Sequence, residues 1–284
     1  MKNDGVSLEV YGCTDVGRSR PHNEDAFVVA DLMVSTAVHA MKRAIELQVG
    51  TGGVLLAVSD GMGGAQAGEV ASALALHSLR RGMSDQARSA EAALTASVER
   101  ANQNVWNAGA SADRKGMGAT LTAVLIHGKR AFVAEVGDSR AYVVRGNRLI
   151  QLTRDQSCLQ LMLDAGTLTH EDAETFPYKN VILQAIGTKP SVVDALNRFT
   201  LRRDDKLLLC SDGLTGKVKD DEMRDIIVSA ATLEAACLQL VALANDRGGE
   251  DNITVVLAEM HGEGLPAFSG EERVSLETVQ AFHG

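Results

Sequence analysis

The chain has 284 residues, of which 45% are apolar and 23% are charged. This composition is ordinary for a globular protein and excludes wholesale disorder, and the length allows one large domain or two small ones. The 28 Lys and Arg residues against 37 Asp and Glu give a net charge of -9. No dense basic cluster offsets this charge, so we expect no nucleic-acid partner.

Neither export nor membrane insertion is indicated. No apolar stretch near Met1 has the pattern of a signal peptide, and apolar runs such as 54–58 are too short to cross a bilayer. The four cysteines are scattered, without CxxC spacing or a histidine nearby, which argues against a zinc site or a disulfide framework. We therefore expect a cytoplasmic protein with no membrane span.

Strand-like runs come first, at 8–13, 26–30 and 54–59, and Ala- and Leu-rich patterns with three- and four-residue spacing predict helices over 64–81 and 89–107. Turn residues then divide the middle of the chain into short strands joined as hairpins. The later predicted elements are a four-strand meander within 119–152, helices near 157–165 and 169–175, a strand at 205–211, helices at 220–229 and 233–245, and a strand at 253–260.

The chain contains four prolines and no Pro/Ser-rich linker, which predicts one domain over residues 1–262. The polar segment 263–284 is predicted to be a mobile C-terminal tail. Runs of strands and pairs of helices indicate the α+β class, with helices covering a mainly antiparallel core.

An insert separates the second and third predicted strands. In it Val34, Val38, Met41 and Ile45 recur at helical spacing, which predicts an amphipathic helix. Such a helix either covers the core or docks a partner.

One local pattern occurs twice: a buried strand runs directly into Ser-Asp-Gly, at 59–61 and again at 211–213. A carboxylate at the end of a rigid strand is held firmly, and the following glycine lets the backbone approach a ligand closely. The alternative is an ordinary turn, since Asp-Gly is a common turn dipeptide.

Other acids also border predicted strands, namely Glu24, Asp25, Asp138 and Asp251. Several carboxylates without Cys or His among them favour a hard cation, Mg²⁺ or Mn²⁺, over zinc. Two such ions held about 3.5–4 Å apart would activate a water for in-line attack on phosphorus. Arg20 suits the phosphate of a substrate because its planar guanidinium can bind two oxygens at once. The alternative for Arg20 is a surface ion pair.

The ordered set RxxxED, DGMGG, GDSR, SDG and GxDNxT resembles the motifs of the metal-dependent PPM-type protein phosphatases, the protein phosphatase 2C-like family, in its bacterial form. Each motif is weak alone, but five in the family's order, spread over residues 8 to 260, are highly specific. The matching stretches are 20–25, 60–64, 137–140, 211–213 and 249–255.

The resemblance implies a fold and a metal site. The fold is a central antiparallel β-sandwich flanked by helices on both outer faces, in an α-β-β-α arrangement with a cleft at one end. Two tight ions, Mg²⁺ or Mn²⁺, would lie in the cleft. Asp60 would bridge both ions and the Gly61 carbonyl would join one of them; Asp212 and Asp251 would hold the first ion, and Glu24 would lie by the second.

Two further roles follow from the same resemblance. Asp25 would orient a metal-bound water, and Asp138 would share a third, weaker ion with Asp212. The alternative for Asp138 is a hairpin turn, because it lies between Gly137 and Ser139.

The sequence departs from the family pattern at two positions near the site. Met62 stands where animal members commonly carry a histidine proposed as the general acid, and a thioether cannot give a proton. A metal-bound water or His22 could take that role, and His22 could equally be a solvated turn residue. Gln156 stands where a histidine is common, in the stretch 153–190 that corresponds to the family's flap, and could alter substrate preference.

The resemblance implies a protein serine/threonine phosphatase, a phosphoric monoester hydrolase acting on phosphoserine and phosphothreonine. A metal-bridging hydroxide would attack directly while Arg20 holds the phosphate. The expected partners are phosphorylated proteins and a Ser/Thr kinase that the enzyme opposes in bacterial signal transduction, and we expect a monomer.

Two other functions are compatible with the same fold: a catalytically inactive phosphoprotein-binding module and a hydrolase of small phosphoesters. The inactive module has no chemical need for the following set, whose presence argues against it: Arg20, Glu24, Asp25, Asp60, Asp212 and Asp251. The lack of histidine ligands makes the usual two-metal small-phosphoester enzymes a poor match.

Overall fold

Two antiparallel β-sheets lie face to face, and helices cover the outer face of each. This computed structural model describes residues 5–34, 37–63, 67–83, 89–169, 171–270 and 272–282. The strands are β1 (Ser7–Asp15), β2 (Asp25–Asp31), β3 (Ala37–Val38), β4 (Ile45–Gln48), β5 (Val54–Met62), β6 (Gly118–Ala119), β7 (Leu121–His127), β8 (Arg130–Val136), β9 (Arg140–Arg145), β10 (Arg148–Gln151), β11 (Ala195–Thr200), β12 (Lys206–Cys210), β13 (Ile253–His261) and β14 (Glu277–Gln280). The helices are α1 (Ala67–Gly82), α2 (Ala90–Ala108), α3 (Cys158–Asp164), α4 (Asp212–Thr215), α5 (Asp220–Ser229) and α6 (Leu233–Asp246).

The order of strands brings distant parts of the chain together. One sheet has six strands in the order β10-β9-β12-β13-β1-β4. The other has eight, in the order β14-β11-β8-β7-β5-β2-β3, with β6 paired to the end of β5. The predicted α+β class and the antiparallel sandwich are confirmed.

Apolar side chains form three layers, which makes the architecture α-β-β-α. Strand β5 is buried on both faces: Leu55 and Ala57 pack with α1 and α2, whereas Leu56 and Val58 face the six-stranded sheet. Side chains alternate along a strand, so burial on both faces requires a continuous apolar run. A third layer packs the helices α4, α5 and α6 against β12 and β13.

Most elements predicted from the pattern of apolar residues are present within two or three residues of their expected ends. The predicted helix over 64–81 is observed as α1 from Ala67, and its first three residues lie outside the described residues. Within the predicted helix over 169–175, the structure has only a short 3₁₀ turn, Ala173–Thr175, and residue 170 is not described. In the described ranges, no helix is both long and apolar enough to span a membrane.

The predicted amphipathic helix in the insert is wrong. The described part of the insert instead forms two short strands: β3 pairs with β2 through Val38 and Val29, and β4 pairs with Ser7–Val10 of β1. Ile45 and Leu47 are half-buried, and Glu46 and Gln48 are exposed, which is the two-residue period of a strand. The unpaired edges of both sheets offer backbone hydrogen bonds that the helical spacing could not reveal.

Part of the segment after residue 262, predicted to be a mobile tail, is docked in this structure. Leu265 is 1% exposed and belongs to the apolar layer between the sheets. Farther along, β14 pairs with β11, and Arg198 binds Glu277 through two hydrogen bonds of 2.9 and 2.6 Å. A polar composition therefore concealed one buried leucine and one edge strand, while the domain boundary at 262 stays a prediction.

Leu265 provides a test of this docking. Leu265→Ala should lower the free energy of unfolding by about 2–4 kcal/mol, because it leaves a cavity between the sheets. Leu276→Ala, in a side chain that is 37% exposed, is the matched control and should cost well under about 1 kcal/mol. Urea denaturation of both variants measures the difference, and equal losses would show that Leu265 is not part of the core.

Candidate active site

Strand ends from both sheets surround a cleft of about 400 Å³ at one end of the sandwich. Of the eight site residues predicted from the sequence, seven line this cleft, and the eighth, Asp25, is buried at 7% exposure. The individual roles predicted for them remain proposals. These seven are Arg20, Glu24, Asp60, Gly61, Asp138, Asp212 and Asp251.

The register of β2 and β5 places two of the acids side by side. Asp25, the first residue of β2, lies directly opposite Asp60 near the end of β5. Just beyond this pair, the Gly61 amide donates to the Glu24 carbonyl oxygen at 3.1 Å. The two motifs RxxxED and DGMGG are therefore held together by a β-ladder.

Thr120 holds both the backbone amide and the backbone carbonyl group of Asp60. The Asp60 amide donates to Thr120 Oγ1 at 2.9 Å, and the Thr120 amide donates to the Asp60 carbonyl oxygen at 2.8 Å. Thr120 Oγ1 also lies 2.8 Å from Ser139 Oγ, beside Asp138. Neither Thr120 nor Ser139 was singled out from the sequence, because a threonine in an apolar run carries no signal of this role.

Glycine is required where α1 approaches the site. A Cβ atom on Gly61 would lie 2.1 Å from the Gly68 carbonyl oxygen, and one on Gly68 would lie 2.6 Å from Glu24 Cδ. Both distances are far below van der Waals contact. The beginning of α1 can therefore pack against Glu24 only because neither position has a side chain.

Asp25 and the start of α4 are linked through one serine. Ser211 Oγ donates to Asp25 Oδ2 at 2.7 Å and accepts from the Thr254 amide at 3.0 Å. The next residue, Asp212, lines the same cleft as Asp60. The two Ser-Asp-Gly repeats thus meet at the cleft, one from each sheet.

Asn252 fixes the loop that carries Arg20 and Glu24. Its Oδ1 accepts from the Glu24 amide at 2.8 Å, and its Nδ2 donates to the carbonyl oxygens of Val16 and His22 at 2.9 and 3.0 Å. The side chain therefore ties residues 16–24 to the start of β13. The motif GxDNxT contains Asn252, yet the sequence alone did not reveal this positioning role.

Arg20 lies in the cleft and is half-exposed. Its Nη2 donates to Asp251 Oδ2 at 2.8 Å, and the two side chains are 51% and 35% exposed. Within the part of the chain that the structure describes, this is the one ion pair made by the acids of the cleft. Its other guanidinium nitrogens can still reach an anion, because a single hydrogen bond occupies only part of the fork.

Burial and mutual repulsion disfavour the charged forms of the acids. Desolvation raises the pKa of Asp25 to about 7, despite the hydrogen bond from Ser211. Desolvation and the nearby Asp212 raise the pKa of Asp138 to about 8. The pKa values of Asp60 and Asp212 are raised for the same two reasons, burial first and neighbouring carboxylates second.

The donor set fits divalent cations with a preference for oxygen. Asp25 Oδ1 and Asp212 Oδ1 are buried and have no hydrogen-bond partner among the described residues. A buried carboxylate oxygen without a partner is costly unless a cation or a water completes it. With carboxylates and one backbone carbonyl as donors, Mg²⁺ and Mn²⁺ match the site better than softer ions do.

The structure also locates the three residues with open roles. His22 is exposed and lines the cleft, as does the half-buried Met62. Gln156 is 2% exposed and is absent from the cleft lining, so its side chain does not face a substrate there. The cleft wall on the side of the predicted flap is formed by Asn180 and Ile182.

A family model described as Protein phosphatase 2C matches residues 39–248. The chain belongs to the protein phosphatase 2C family. Protein phosphatase PhpP of Streptococcus pneumoniae is 36% identical over 262 residues, covering 90% of this chain and 99% of that protein.

Solved structures of bacterial serine/threonine phosphatases share the fold. The enzyme of S. agalactiae has a TM-score of 0.78 at 33% identity, covering 89% of this chain and 99% of that one. The catalytic domain of PstP, solved in complex with two manganese ions, has a TM-score of 0.74 at 32% identity, covering 90% of this chain and 99% of that one. This family membership agrees with the resemblance found from the five motifs.

The raised pKa values of this phosphatase 2C-type site predict how stability depends on pH when metal is removed. A carboxyl whose pKa is higher in the folded than in the unfolded state favours folding at low pH, and this contribution is lost as pH rises through the folded value. Asp25 and Asp138, with pKa values of about 7 and about 8, place the loss between about pH 5 and pH 8.

With EDTA present, the protein should therefore melt at a higher temperature at about pH 5.5 than at about pH 8.5. Asp60→Asn should reduce this difference, because it removes one of the repelling carboxylates. Differential scanning calorimetry of both proteins is the measurement. A melting temperature of the metal-free protein that rises over this interval would contradict the electrostatic description.

Proposed function

We propose that the chain is a metal-dependent protein serine/threonine phosphatase that hydrolyses phosphoserine and phosphothreonine. The observation that carries the proposal is the convergence of Asp60 and Asp212 at one cleft, each at the end of a strand from a different sheet, with Asp25 paired to Asp60 and Arg20 at the rim. Bacterial relatives named as protein phosphatases support it over nearly their whole length.

The two ions of the proposed pair would share Asp60 and differ in their other ligands. Asp60 would hold both ions and the Gly61 carbonyl oxygen one of them, while Asp212 and Asp251 would hold the first and Glu24 would lie by the second. The PstP structure with two manganese ions supports this number of ions. When bound, the two ions supply a nucleophilic water and offset negative charge at the phosphate.

Asp25 and Arg20 would act on different reacting groups, the attacking water and the phosphate. Asp25 Oδ1, buried and without a partner among the described residues, is available to accept a hydrogen bond from the attacking water. Arg20 would bind two phosphate oxygens with the guanidinium nitrogens that Asp251 leaves unoccupied. Such positioning of nucleophile and phosphate makes a phospho-enzyme unnecessary.

Leaving-group protonation is a step at which this chain departs from the pattern of the animal members. Met62 lines the cleft, but its thioether has no proton to give to a serine or threonine alkoxide. His22 lines the same cleft and is exposed to solvent. A histidine side chain can serve as a general acid, which makes His22 the candidate proton donor of this cleft.

The proposed setting is cytoplasmic signalling. The substrates would be phosphorylated proteins, and the enzyme would act as a monomer that opposes a Ser/Thr kinase. The cleft is open at the strand ends, which suits an extended peptide better than a small molecule enclosed on all sides. An inactive binding module remains disfavoured, because such a module would gain nothing from burying several unpaired carboxyls.

The activity is tested by hydrolysis of a phosphothreonine peptide and of p-nitrophenyl phosphate. Turnover of both should require Mn²⁺ or Mg²⁺, stop with EDTA and return when the ion is restored. Asp60→Asn should abolish it, because both ions lose a shared ligand. Full turnover in thoroughly metal-stripped wild-type protein would refute a metal-dependent mechanism. If the protein hydrolyses p-nitrophenyl phosphate but not the phosphothreonine peptide, a small-phosphoester hydrolase is favoured.

Arg20→Ala distinguishes phosphate binding from a surface ion pair. It should raise KM for the phosphopeptide by about 10–100-fold, because a charge-assisted contact to the phosphate is lost. The same change should not weaken Mn²⁺ binding, since Asp251 loses a competing cation. Arg114→Ala, in an exposed side chain outside the cleft lining, is the control. Unchanged KM and kcat in Arg20→Ala would show that Arg20 does not bind the phosphate and forms only an ion pair.

A further inference from the structure

The turn that carries Asp138 is clamped by a segment that does not line the cleft. This segment, residues 153–157, follows β10 and is called the flap base here. The Gln156 amide donates to the Gly137 carbonyl oxygen at 2.8 Å. In the other direction, the Gly137 amide donates to Gln156 Oε1 at 2.8 Å, and Gln156 Nε2 donates to the Glu135 carbonyl oxygen at 3.1 Å. One glutamine thus occupies both polar groups of the residue that precedes Asp138.

Two more contacts hold the flap base on either side of Asp138. Before the turn, Glu135 Oε2 accepts from the Arg154 amide at 2.9 Å. After the turn, Arg140 donates to both oxygens of Asp155 at 2.7 and 2.6 Å. The consecutive residues 154, 155 and 156 therefore bind residues on both sides of Asp138.

Gly137 leaves the turn little freedom to adjust. Its φ of +109° is in the region that favours glycine, and a Cβ atom there would lie 2.8 Å from Thr120 Cγ2. Thr120 also holds Asp60 and contacts Ser139. The turn is therefore confined between Thr120 and Gln156, and the carboxylate of Asp138 is placed accordingly.

Gln156 also connects this turn to the wall of the cleft. Gln184 Nε2 donates to Gln156 Oε1 at 2.9 Å, and the Leu183 amide donates to the Gln156 carbonyl oxygen at 2.7 Å. The adjoining residue Ile182 lines the cleft. The side chain and the backbone of one buried residue thus connect the cleft wall with the residue before Asp138.

We propose that Gln156 is a positioning residue for Asp138: it sets the Asp138 turn through Gly137 and ties that turn to the cleft wall at Ile182. This inference rests on the proposed function, in which Asp138 and Asp212 share the weaker third ion. Gln156 is 2% exposed and outside the cleft lining, so it does not contact the ion and any effect on the ion must be indirect.

The variant Gln156→Met tests the inference, because it keeps the length of the side chain and removes its hydrogen bonds. Mn²⁺ binding is measured by calorimetry without substrate. The Kd of the weakest site should rise about tenfold, the effect of losing one or two net hydrogen bonds, while the tight sites stay within about twofold. The Mn²⁺ concentration for half-maximal turnover of p-nitrophenyl phosphate should rise with it. If methionine prevents folding, Gln156→Asn keeps a neutral amide but is one methylene shorter, so it cannot make the same hydrogen bonds and should shift the same Kd in the same direction.

Two control variants separate positioning from general destabilisation. Gln160→Met changes a glutamine of α3 that bonds Asp164, and Leu8→Ala truncates a buried side chain at the opposite end of the sandwich. Leu8→Ala should lower the melting temperature, and neither control should change the weak Mn²⁺ site. The inference is overturned if Gln156→Met binds Mn²⁺ as wild type does, or if it weakens all sites together as Leu8→Ala does.

Asp138→Ala distinguishes failure of this inference from failure of the proposed function. It should abolish the weak site, slow turnover and leave the two tight sites intact, and adding Gln156→Met should then have no further effect on Mn²⁺ binding. If Asp138→Ala retains the weak site, the third-ion role of Asp138 is wrong. If Asp138→Ala loses the weak site while Gln156→Met leaves the Kd of that site unchanged, the inference about Gln156 alone is wrong.

Discussion

Mutual repulsion among buried carboxylates is the constraint around which this structure is built. Asp25, Asp60, Asp138 and Asp212 are each disfavoured in the charged form by burial and by one another. Without a cation, the fold must hold these groups together against their own electrostatics. It does so mainly with backbone constraints: β-ladder register, paired hydrogen bonds to Thr120 and glycines at points of close approach.

The sandwich makes that arrangement possible, and its pattern can be read from sequence. Strands buried on both faces, such as β5 and β12, appear as continuous apolar runs, so their ends are easy to locate. The acids follow at those ends, at fixed offsets within short motifs. Asp60 and Asp212 were therefore identifiable as a repeated strand-to-carboxylate pattern, whereas their assignment to one cleft depended on the resemblance to a known family.

Features that depend on pairing between distant segments were not predictable in the same way. The spacing of Val38 and Ile45 fits a helix, but free sheet edges favour the strands β3 and β4. Leu265 lies in a polar segment of the sequence, and only the structure shows that it packs between the sheets. Gln156 and Asn252 act through hydrogen bonds to backbone groups, which leave no periodicity and no charge pattern in the sequence.

Anomalous diffraction from crystals grown with Mn²⁺ tests the central claim most directly, because it locates the cations independently of turnover. Data collected above and below the manganese absorption edge should show two strong peaks about 3.5–4 Å apart, on either side of the Asp60 carboxylate. Asp212 and Asp251 should contact one peak, and Glu24 should lie beside the other. Absence of any peak at Asp60, with Mn²⁺ in excess and the protein active, would contradict the account.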